Sequence, residues 1–363
     1  MALEIGIVGL PNVGKSTLFN ALTRAQVPAA NYPFCTIDPH VGTVPVPDER
    51  LRVLAEIVRP ERVIPAVVRF TDIAGLVAGA SRGEGLGNRF LAHIREVDAI
   101  AHVVRCFEDP DIAHVAGRID PLADIETIET ELLLADLQTV EQALERAARA
   151  AKTGRPEALA RLRVCEKLLQ ALGEGHPARS VVLSDEERAI ARELFLLTAK
   201  PVVFVANLRE QDRSSNPWLA RVQAHAERQG APCVALCAAV EEELARLEED
   251  ERDDFLAALG LEEPGLHRLV RAGYALLGLL TFFTAGPEEV RAWTVRRGAR
   301  APEAAGVIHS DFEKGFIRAE TIAYEDFVRY RGEAGAREAG RLRLEGRDYV
   351  VQEGDVMRFR FNV

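Results

Sequence analysis

The sequence predicts an α/β fold, and three observations carry this prediction. Short apolar runs rich in Val, Ile and Ala alternate with segments of helical periodicity, which is typical of a parallel sheet covered on both faces. The first run, Glu4 to Val8, leads directly into a glycine-containing loop. The chain has 363 residues, of which 48% are hydrophobic, so it can bury a sizeable core in about two or three domains.

The loop after the first run carries the strongest motif. Residues 9–17 read GLPNVGKST, which fits the phosphate-binding pattern GxxxxGK[ST]. Glycines at both ends let the backbone turn tightly and bring its N–H groups to a phosphate. Lys15 is expected to reach the β- and γ-phosphate oxygens, Ser16 offers a hydroxyl to Mg²⁺, and the following helix points its positive end at the anion. The loop therefore predicts a nucleoside triphosphate site.

A second apolar run, Val67 to Thr71, is followed by Asp72 and Gly75 in a DxxG pattern. In P-loop GTPase-type proteins this aspartate reaches Mg²⁺ through water, and the glycine N–H binds the γ-phosphate. The pattern is weak alone, but its place on a strand after the phosphate loop makes it a second indication of the same site. We therefore predict Asp72 near the metal and Gly75 near the γ-phosphate.

A threonine is expected between these two motifs to close over the metal and the γ-phosphate. Residues 31–39 read NYPFCTIDP, and we prefer Thr36 in this segment over Thr43. The alternative is a solvent-facing turn threonine. The predicted magnesium site is then Ser16, Thr36 and Asp72, and the predicted catalytic groups are Lys15, Thr36 and Gly75.

The residue after Gly75 is Leu76, at the position where Ras-like proteins carry the glutamine that orients the attacking water. An alkyl side chain neither orients water nor accepts a proton. We therefore expect hydrolysis to be slow, or to be completed by another group, an ion or a partner. Arg82 and Arg89 lie close enough in sequence to approach the phosphates, although solvated surface arginine is the commoner outcome.

Base selection is expected in the loop after the apolar run Pro201 to Ala206. GTPases carry NKxD here, but residues 207–210 read NLRE, so Leu208 replaces the lysine and Glu210 replaces the shorter aspartate. A buried site without its matched polar partners loses specificity steeply, so guanine should not be strongly preferred. Asn207 can still address N7 or the adenine 6-amino group, and Ala238, after the next apolar run, is expected to contact the base.

The remaining chain predicts two further domains. Residues 121–199 have helical periodicity, with helices from Ile125 to Ala151 and from Glu157 to Leu172 joined by a Gly/Pro turn. This hairpin is either a bundle that stabilises the nucleotide-binding core or an arm that contacts a partner. The predicted domains are 1–120 with 200–277 as the nucleotide-binding domain, 121–199 as the helical insertion, and 278–363 as a small α+β domain. The strands expected in the last domain run over 279–284, 290–295, 315–322, 342–344, 348–351 and 356–361.

Composition and charge exclude several classes of function. The net charge of −11 argues against a wholly basic nucleic-acid binder, so an RNA-facing surface would have to be a local patch. No apolar stretch approaches the roughly 18 to 20 residues that span a bilayer, which predicts no membrane partner. The five cysteines are odd in number and scattered, which suits the reducing cytoplasm. The candidate RNA-binding arginines are Arg291, Arg296, Arg297 and Arg300.

These motifs together resemble the Obg-like ATPases of the YchF type. The resemblance rests on GLPNVGKST, NYPFCTIDP, the DxxG segment and NLRE, and it covers essentially the whole chain. It implies an Obg-type G domain, a helical hairpin domain and a C-terminal TGS domain of β-grasp shape. It also implies that ATP is bound and hydrolysed in preference to GTP, without a catalytic glutamine.

The resemblance further implies residue roles and partners. The adenine contact falls to Leu208 beside Asn207, and Mg²⁺ falls to Ser16 and Thr36. Asn12 is a candidate for coordinating a K⁺ ion that assists hydrolysis. Binding to the ribosome, through its large subunit or RNA, is implied for the helical and TGS domains, with a role in translation or stress regulation. The implied phosphate loop comprises Asn12, Val13, Gly14, Lys15, Ser16 and Thr17.

Three functions remain open on the sequence alone. The first is an ATPase switch whose nucleotide state changes its grip on the ribosome or a protein. The second is a nucleotide-gated binding module in which hydrolysis is incidental. The third is a GTPase despite the NLRE sequence.

Overall fold

The computed structural model describes residues 3–24, 40–73, 86–110, 112, 114, 117–212 and 216–362. The predictions made for Thr36, Gly75, Leu76 and Arg82 lie outside these ranges. Arg89 lies in a described helix, but its side chain is outside the description.

The secondary-structure elements alternate along the first part of the chain as predicted. In the described ranges the strands are β1 (Glu4–Val8), β2 (Val41–Pro45), β3 (Arg62–Ile64), β4 (Val67–Asp72), β5 (Ala99–Arg105), β6 (Val202–Asn207), β7 (Cys233–Leu236), β8 (Leu279–Ala285), β9 (Glu289–Arg296), β10 (Phe316–Ile322), β11 (Arg343–Glu345) and β12 (Val356–Phe361). The helices are α1 (Lys15–Arg24), α2 (Glu49–Val58), α3 (Leu86–Glu96), α4 (Pro121–Ala151), α5 (Pro156–Gly173), α6 (Asp185–Arg192), α7 (Pro217–Arg228), α8 (Ala238–Leu244), α9 (Glu249–Ala258), α10 (Gly265–Leu276), α11 (Ala301–Ile308), α12 (Ser310–Lys314), α13 (Tyr324–Arg329) and α14 (Glu333–Glu338).

The first sheet has the strand order β2-β4-β1-β5-β6-β7. Its strands are parallel except β2, which pairs antiparallel with β4 at one edge. Strands β5 and β6 are buried along their whole length, which explains why they read as continuous apolar runs. The α/β fold class is therefore confirmed, and the carboxyl ends of β1, β4, β6 and β7 meet at one edge, where such sheets bind ligands.

The helical hairpin begins slightly earlier than predicted at both helices. Helix α4 starts at Pro121 and α5 at Pro156, because a proline fits the first turn of a helix without losing a hydrogen bond. Near its base, α4 contributes Ile125 and Ile128 to the core of the first sheet, and farther out it packs against α5. Buried Asp136 also ties α4 to the returning chain, because its carboxylate accepts hydrogen bonds from the N–H groups of Leu197 and Thr198 at 2.8 and 2.7 Å.

The second sheet has the order β11-β10-β12-β8-β9-β3 and forms the C-terminal β domain. Its outermost strand, β3, comes from residues 62–64 and pairs parallel with β9. No sequence pattern predicts this pairing. A second link is made by Arg50 on α2, whose Nη2 lies 2.6 Å from Glu353 Oε1 in the C-terminal domain.

The predicted strand over 348–351 is wrong, since only an isolated bridge forms there, between Val350 and Arg300. The Val351 N–H donates to the Ala299 carbonyl, and the Ala301 N–H donates to the Tyr349 carbonyl. The chain then enters α11 at Ala301, so the pairing cannot extend into a ladder.

None of the helices in the described ranges combines the length and the apolar composition needed to cross a bilayer.

Candidate nucleotide-binding site

The loop between β1 and α1 has the backbone conformation that its glycines permit. Asn12 and Gly14 have φ angles of 63° and 99°, and the second is strained for any residue with a side chain. A β-carbon on Gly14 would lie 2.2 Å from Nδ2 of Asn207, and one on Gly9 would lie 2.6 Å from the Val103 carbonyl oxygen. Both positions therefore require glycine because neighbouring atoms leave no room for a β-carbon, in addition to the demands of the turn.

Lys15 is held inside this loop. Its side chain is buried, with 8% of the residue exposed, and its Nζ donates a hydrogen bond to the Leu10 carbonyl at 2.8 Å. Burial lowers the pKa of Lys15, and the charge of Asp72 opposes that shift. Among the described residues the ammonium hydrogen-bonds one carbonyl oxygen, that of Leu10, and an anionic phosphate oxygen would be a stronger partner.

Asp72 ends β4 beside Lys15, and one of its carboxylate oxygens has no hydrogen-bond partner among the described residues. Oδ1 is buried and accepts no hydrogen bond from any residue that the structure describes. Burial raises the pKa of Asp72, while the charges of Lys15 and His40 lower it. An unpaired buried oxygen of this kind fits a carboxylate whose partner is a metal-bound water.

Other metal ligands are scarce around this carboxylate. Within the described ranges, no group of three or more His, Cys, Asp or Glu side chains is arranged to hold a metal ion. Ser16 is exposed at the start of α1, on the loop side of the sheet. The residues therefore fit a cation held mainly by a hydroxyl, water and phosphate oxygens, which is the usual coordination of Mg²⁺ at such sites.

Asn207 joins the phosphate loop to the base-selecting loop. Its amide is buried, with Nδ2 donating to the Val13 carbonyl at 2.9 Å and Oδ1 accepting from the Ala238 N–H at 3.0 Å. The same amide is the atom group that a side chain on Gly14 would strike. Asn207 therefore positions both loops, and its predicted contact with the base would have to use its second N–H.

A cleft of about 570 Å³ runs from the phosphate loop to the loop after β6. Leu208 lies in its wall and is 3% exposed, so it presents an alkyl surface where NKxD proteins have a lysine. Glu210 opens a short 3₁₀ helix on the same side. The predicted residues that the cleft brings together are Asn12, Gly14, Lys15, Ser16, Thr17, Asn207, Leu208, Glu210 and Ala238.

Three residues of the opposite wall were not predicted from the sequence: Phe107, Asp109 and Ile112. Arg105, at the end of β5, holds them in place by donating to their carbonyl oxygens at 3.1, 3.3 and 3.0 Å respectively. Arg209 crosses to this wall, with Nη2 2.7 Å from Asp109 Oδ2. An arginine inside an apolar strand was the signal that could have identified this wall.

Two family models match parts of the chain. A model described as a 50S ribosome-binding GTPase matches residues 4–146. A model for the C-terminal part of YchF GTPases, described as a protein of unknown function, matches residues 279–362.

The chain is similar over its full length to proteins named YchF. A Haemophilus influenzae protein called ribosome-binding ATPase YchF is 61% identical over 363 residues, with all of both chains covered. A Bacillus subtilis protein of the same name is 55% identical over 366 residues, again with full coverage. The structure of the Schizosaccharomyces pombe YchF GTPase has a TM-score of 0.90 at 41% identity and covers 99% of this chain and 97% of that one.

Proposed function

Because the chain belongs to the YchF family, as its full-length similarity to those relatives shows, we propose that it is a ribosome-binding ATPase. It binds ATP in the cleft between the phosphate loop and Leu208, and it hydrolyses ATP slowly. The main observation in support of this function is the composition of the cleft where the base would bind. Leu208 is buried there, and position 210 holds a glutamate in place of the aspartate of NKxD proteins.

The preference for ATP over GTP follows from unpaired polar groups. Guanine presents N1–H and a 2-amino group that an aspartate accepts in NKxD proteins. Here Glu210 is longer by one methylene, and the nearby Asp109 carboxylate already accepts from Arg209 at 2.7 Å, so those donors would lack matched acceptors. Leaving buried polar groups unpaired costs about 1–3 kcal/mol each, which is enough to remove a guanine preference. Adenine loses less, because it lacks the 2-amino group and can lie against Leu208.

Ser16, Thr36 and Asp72 are the residues that would hold Mg²⁺, and the unpaired oxygen of Asp72 supports this assignment. When bound, Mg²⁺ neutralises negative charge on the phosphates. The backbone N–H groups of the loop and Lys15 bind the phosphates, and Gly75 contacts the γ-phosphate in this proposal. Leu76 cannot orient water, so turnover is slow without a further group. Asn12 is proposed as a K⁺ ligand, and equal activity in K⁺ and Na⁺ would contradict that role.

Ribosome binding is proposed for the helical hairpin and the C-terminal domain, which we assign to the TGS type. The large subunit or its RNA is the expected partner, and the cytoplasm is the expected location. Arg296 and Arg297 are exposed, which supports their contacting phosphates. Arg300 is also exposed, but its Nη1 lies 2.7 Å from Asp348 Oδ1, so a phosphate would have to compete with that carboxylate. Arg291 is less available, because its guanidinium lies 4.0 Å from the centre of the Trp293 ring and beside Glu289.

Steady-state turnover of ATP and GTP, with and without ribosomes, tests the proposal. We expect slow turnover that favours ATP and a rate that changes when ribosomes are added. A basal ATPase rate that no ribosome preparation alters would favour a binding module in which hydrolysis is incidental. A clear preference for GTP would favour the GTPase.

A further inference from the structure

A second cavity, of about 470 Å³, lies where the helical hairpin meets the first sheet. Its walls come from β5, β6 and α7 on one side, and from α4 and the chain after α5 on the other. None of its described lining residues lines the nucleotide cleft. Its volume falls in the range of about 300–1,000 Å³ that is typical of small-molecule sites.

The inner part of this cavity is apolar. Ile100 on β5 and Ile128 and Leu132 on α4 line it, and all three side chains are buried. Pro177, after α5, adds a further apolar surface. These groups would contact the hydrocarbon body of a ligand and not a hydrated ion.

The floor of the cavity carries a neutral histidine. His102 is 4% exposed and lines the cavity, and its ring centre lies 5.6 Å from that of Phe204. Burial lowers the pKa of His102 to about 4, so the imidazole is uncharged at neutral pH. No residue in the described part of the chain hydrogen-bonds this ring, so it can offer a donor or an acceptor to a ligand.

The rim of the cavity is positively charged. Arg179 donates to Gln229 Oε1 at 2.5 Å and lies 3.6 Å from Glu129 Oε1. Burial alone would raise the pKa of Glu129, but the hydrogen bond from Gln229 at 2.8 Å and the His225 ring 3.7 Å away outweigh it and lower that pKa, so the carboxylate is ionised. Arg228 adds a second guanidinium at the exposed mouth. The described lining thus holds two arginines and one carboxylate, and this excess of positive charge favours a ligand with one negative charge.

We propose that this cavity binds a small organic monoanion with an apolar, flat or branched body. Its anionic group pairs with Arg179 and Arg228, its body lies against Ile100, Ile128 and Leu132, and His102 supplies one hydrogen bond. At roughly 15 to 30 Å³ per non-hydrogen atom, half to all of the volume of a liquid water molecule, the cavity has room for about 15 to 30 such atoms. Because both walls contact the ligand, binding stabilises the contact between the hairpin and the first sheet.

Binding of 2-naphthoate to the full-length protein tests this site, with uncharged 2-naphthamide as the matched probe. Calorimetry and saturation-transfer NMR should give saturable binding of one 2-naphthoate per chain, with a dissociation constant of about 1 mM or tighter, as expected for a ligand of this size. We expect 2-naphthamide to bind more weakly, and saturating ATP to leave 2-naphthoate binding unchanged. Absence of saturable binding, equal binding of the amide, or displacement by ATP would each overturn the proposal.

Two variants test whether 2-naphthoate binds in this cavity. Arg179→Gln should weaken 2-naphthoate binding by about tenfold, the loss expected for a hydrogen bond to a charged group. Arg228→Glu places a negative charge at the exposed mouth and should weaken binding without disturbing the fold. Arg161→Gln is the matched control, because Arg161 lies on α5 outside the cavity and pairs with Glu193. Equal affinity of Arg228→Glu, with an unchanged melting temperature, would contradict the assigned site.

Discussion

Gly14→Ala should disrupt the nucleotide site and the fold together. The added β-carbon would lie 2.2 Å from Asn207 Nδ2, so the amide must move away from the Val13 carbonyl at 2.9 Å and the Ala238 N–H at 3.0 Å. Each buried group left unpaired costs about 1–3 kcal/mol. A side chain at a φ of 99° adds about 1–2 kcal/mol. We therefore expect a loss of at least about 3 kcal/mol.

Urea unfolding and calorimetric ATP binding measure this loss, and Gly173→Ala provides the matched control. Gly173 ends α5, and a β-carbon there would meet no atom within 4 Å. Alanine at that position should stabilise the chain by up to about 1 kcal/mol. The reasoning fails if Gly14→Ala stays within about 1 kcal/mol of the wild type and binds ATP equally well.

Three further predictions address the charges and the base. Lys15→Ala should weaken ATP binding about 100-fold or more, whereas exposed Lys152→Ala should not, and equal affinities of the two variants would exclude the anchoring role. Glu210→Asp combined with Leu208→Lys should shift preference toward GTP in a competition assay, and an unchanged ratio would mean that the base is recognised elsewhere. The pKa of His102 is lowered to about 4 in the folded protein, so below pH 6.5, its usual pKa, the unfolded chain binds more protons than the folded protein. Because His102 is held uncharged, it does not reduce the free energy of unfolding above pH 6.5. Between pH 7 and pH 5 it should lower the free energy of unfolding by about 2 kcal/mol. His102→Phe should show a correspondingly smaller loss in urea unfolding, while exposed His176→Gln should not, and identical pH profiles would contradict the buried neutral state.

The strands and the phosphate loop of the nucleotide-binding domain could be predicted from short stretches of sequence. Strand β1 and the phosphate loop are set by nearby residues, because an apolar run and two glycines determine the backbone over a short range. The buried strand β6 runs over Val202–Asn207, within one residue at each end of the predicted run Pro201 to Ala206. The hairpin helices were also predicted, with errors where a proline begins the first turn and a one-residue difference at the end of α5.

The features that the sequence did not predict depend on contacts between distant segments. Strand β3 has three residues, and it forms by pairing with β9, more than 200 residues away in the chain. The position of the cleft wall at Phe107 depends on the hydrogen bond that the buried Arg105 guanidinium donates to the Phe107 carbonyl oxygen. Asn207 was predicted to address the base, but its bonds to Val13 and Ala238 are tertiary contacts that no local pattern encodes.

Competitive displacement of a fluorescent ATP analogue by ATP and by GTP, on the wild-type chain with Mg²⁺, tests the central claim most directly. An ATP-selective cleft with Leu208 at its base end predicts that ATP displaces the analogue at lower concentration than GTP does. Displacement by GTP at the lower concentration would contradict the account.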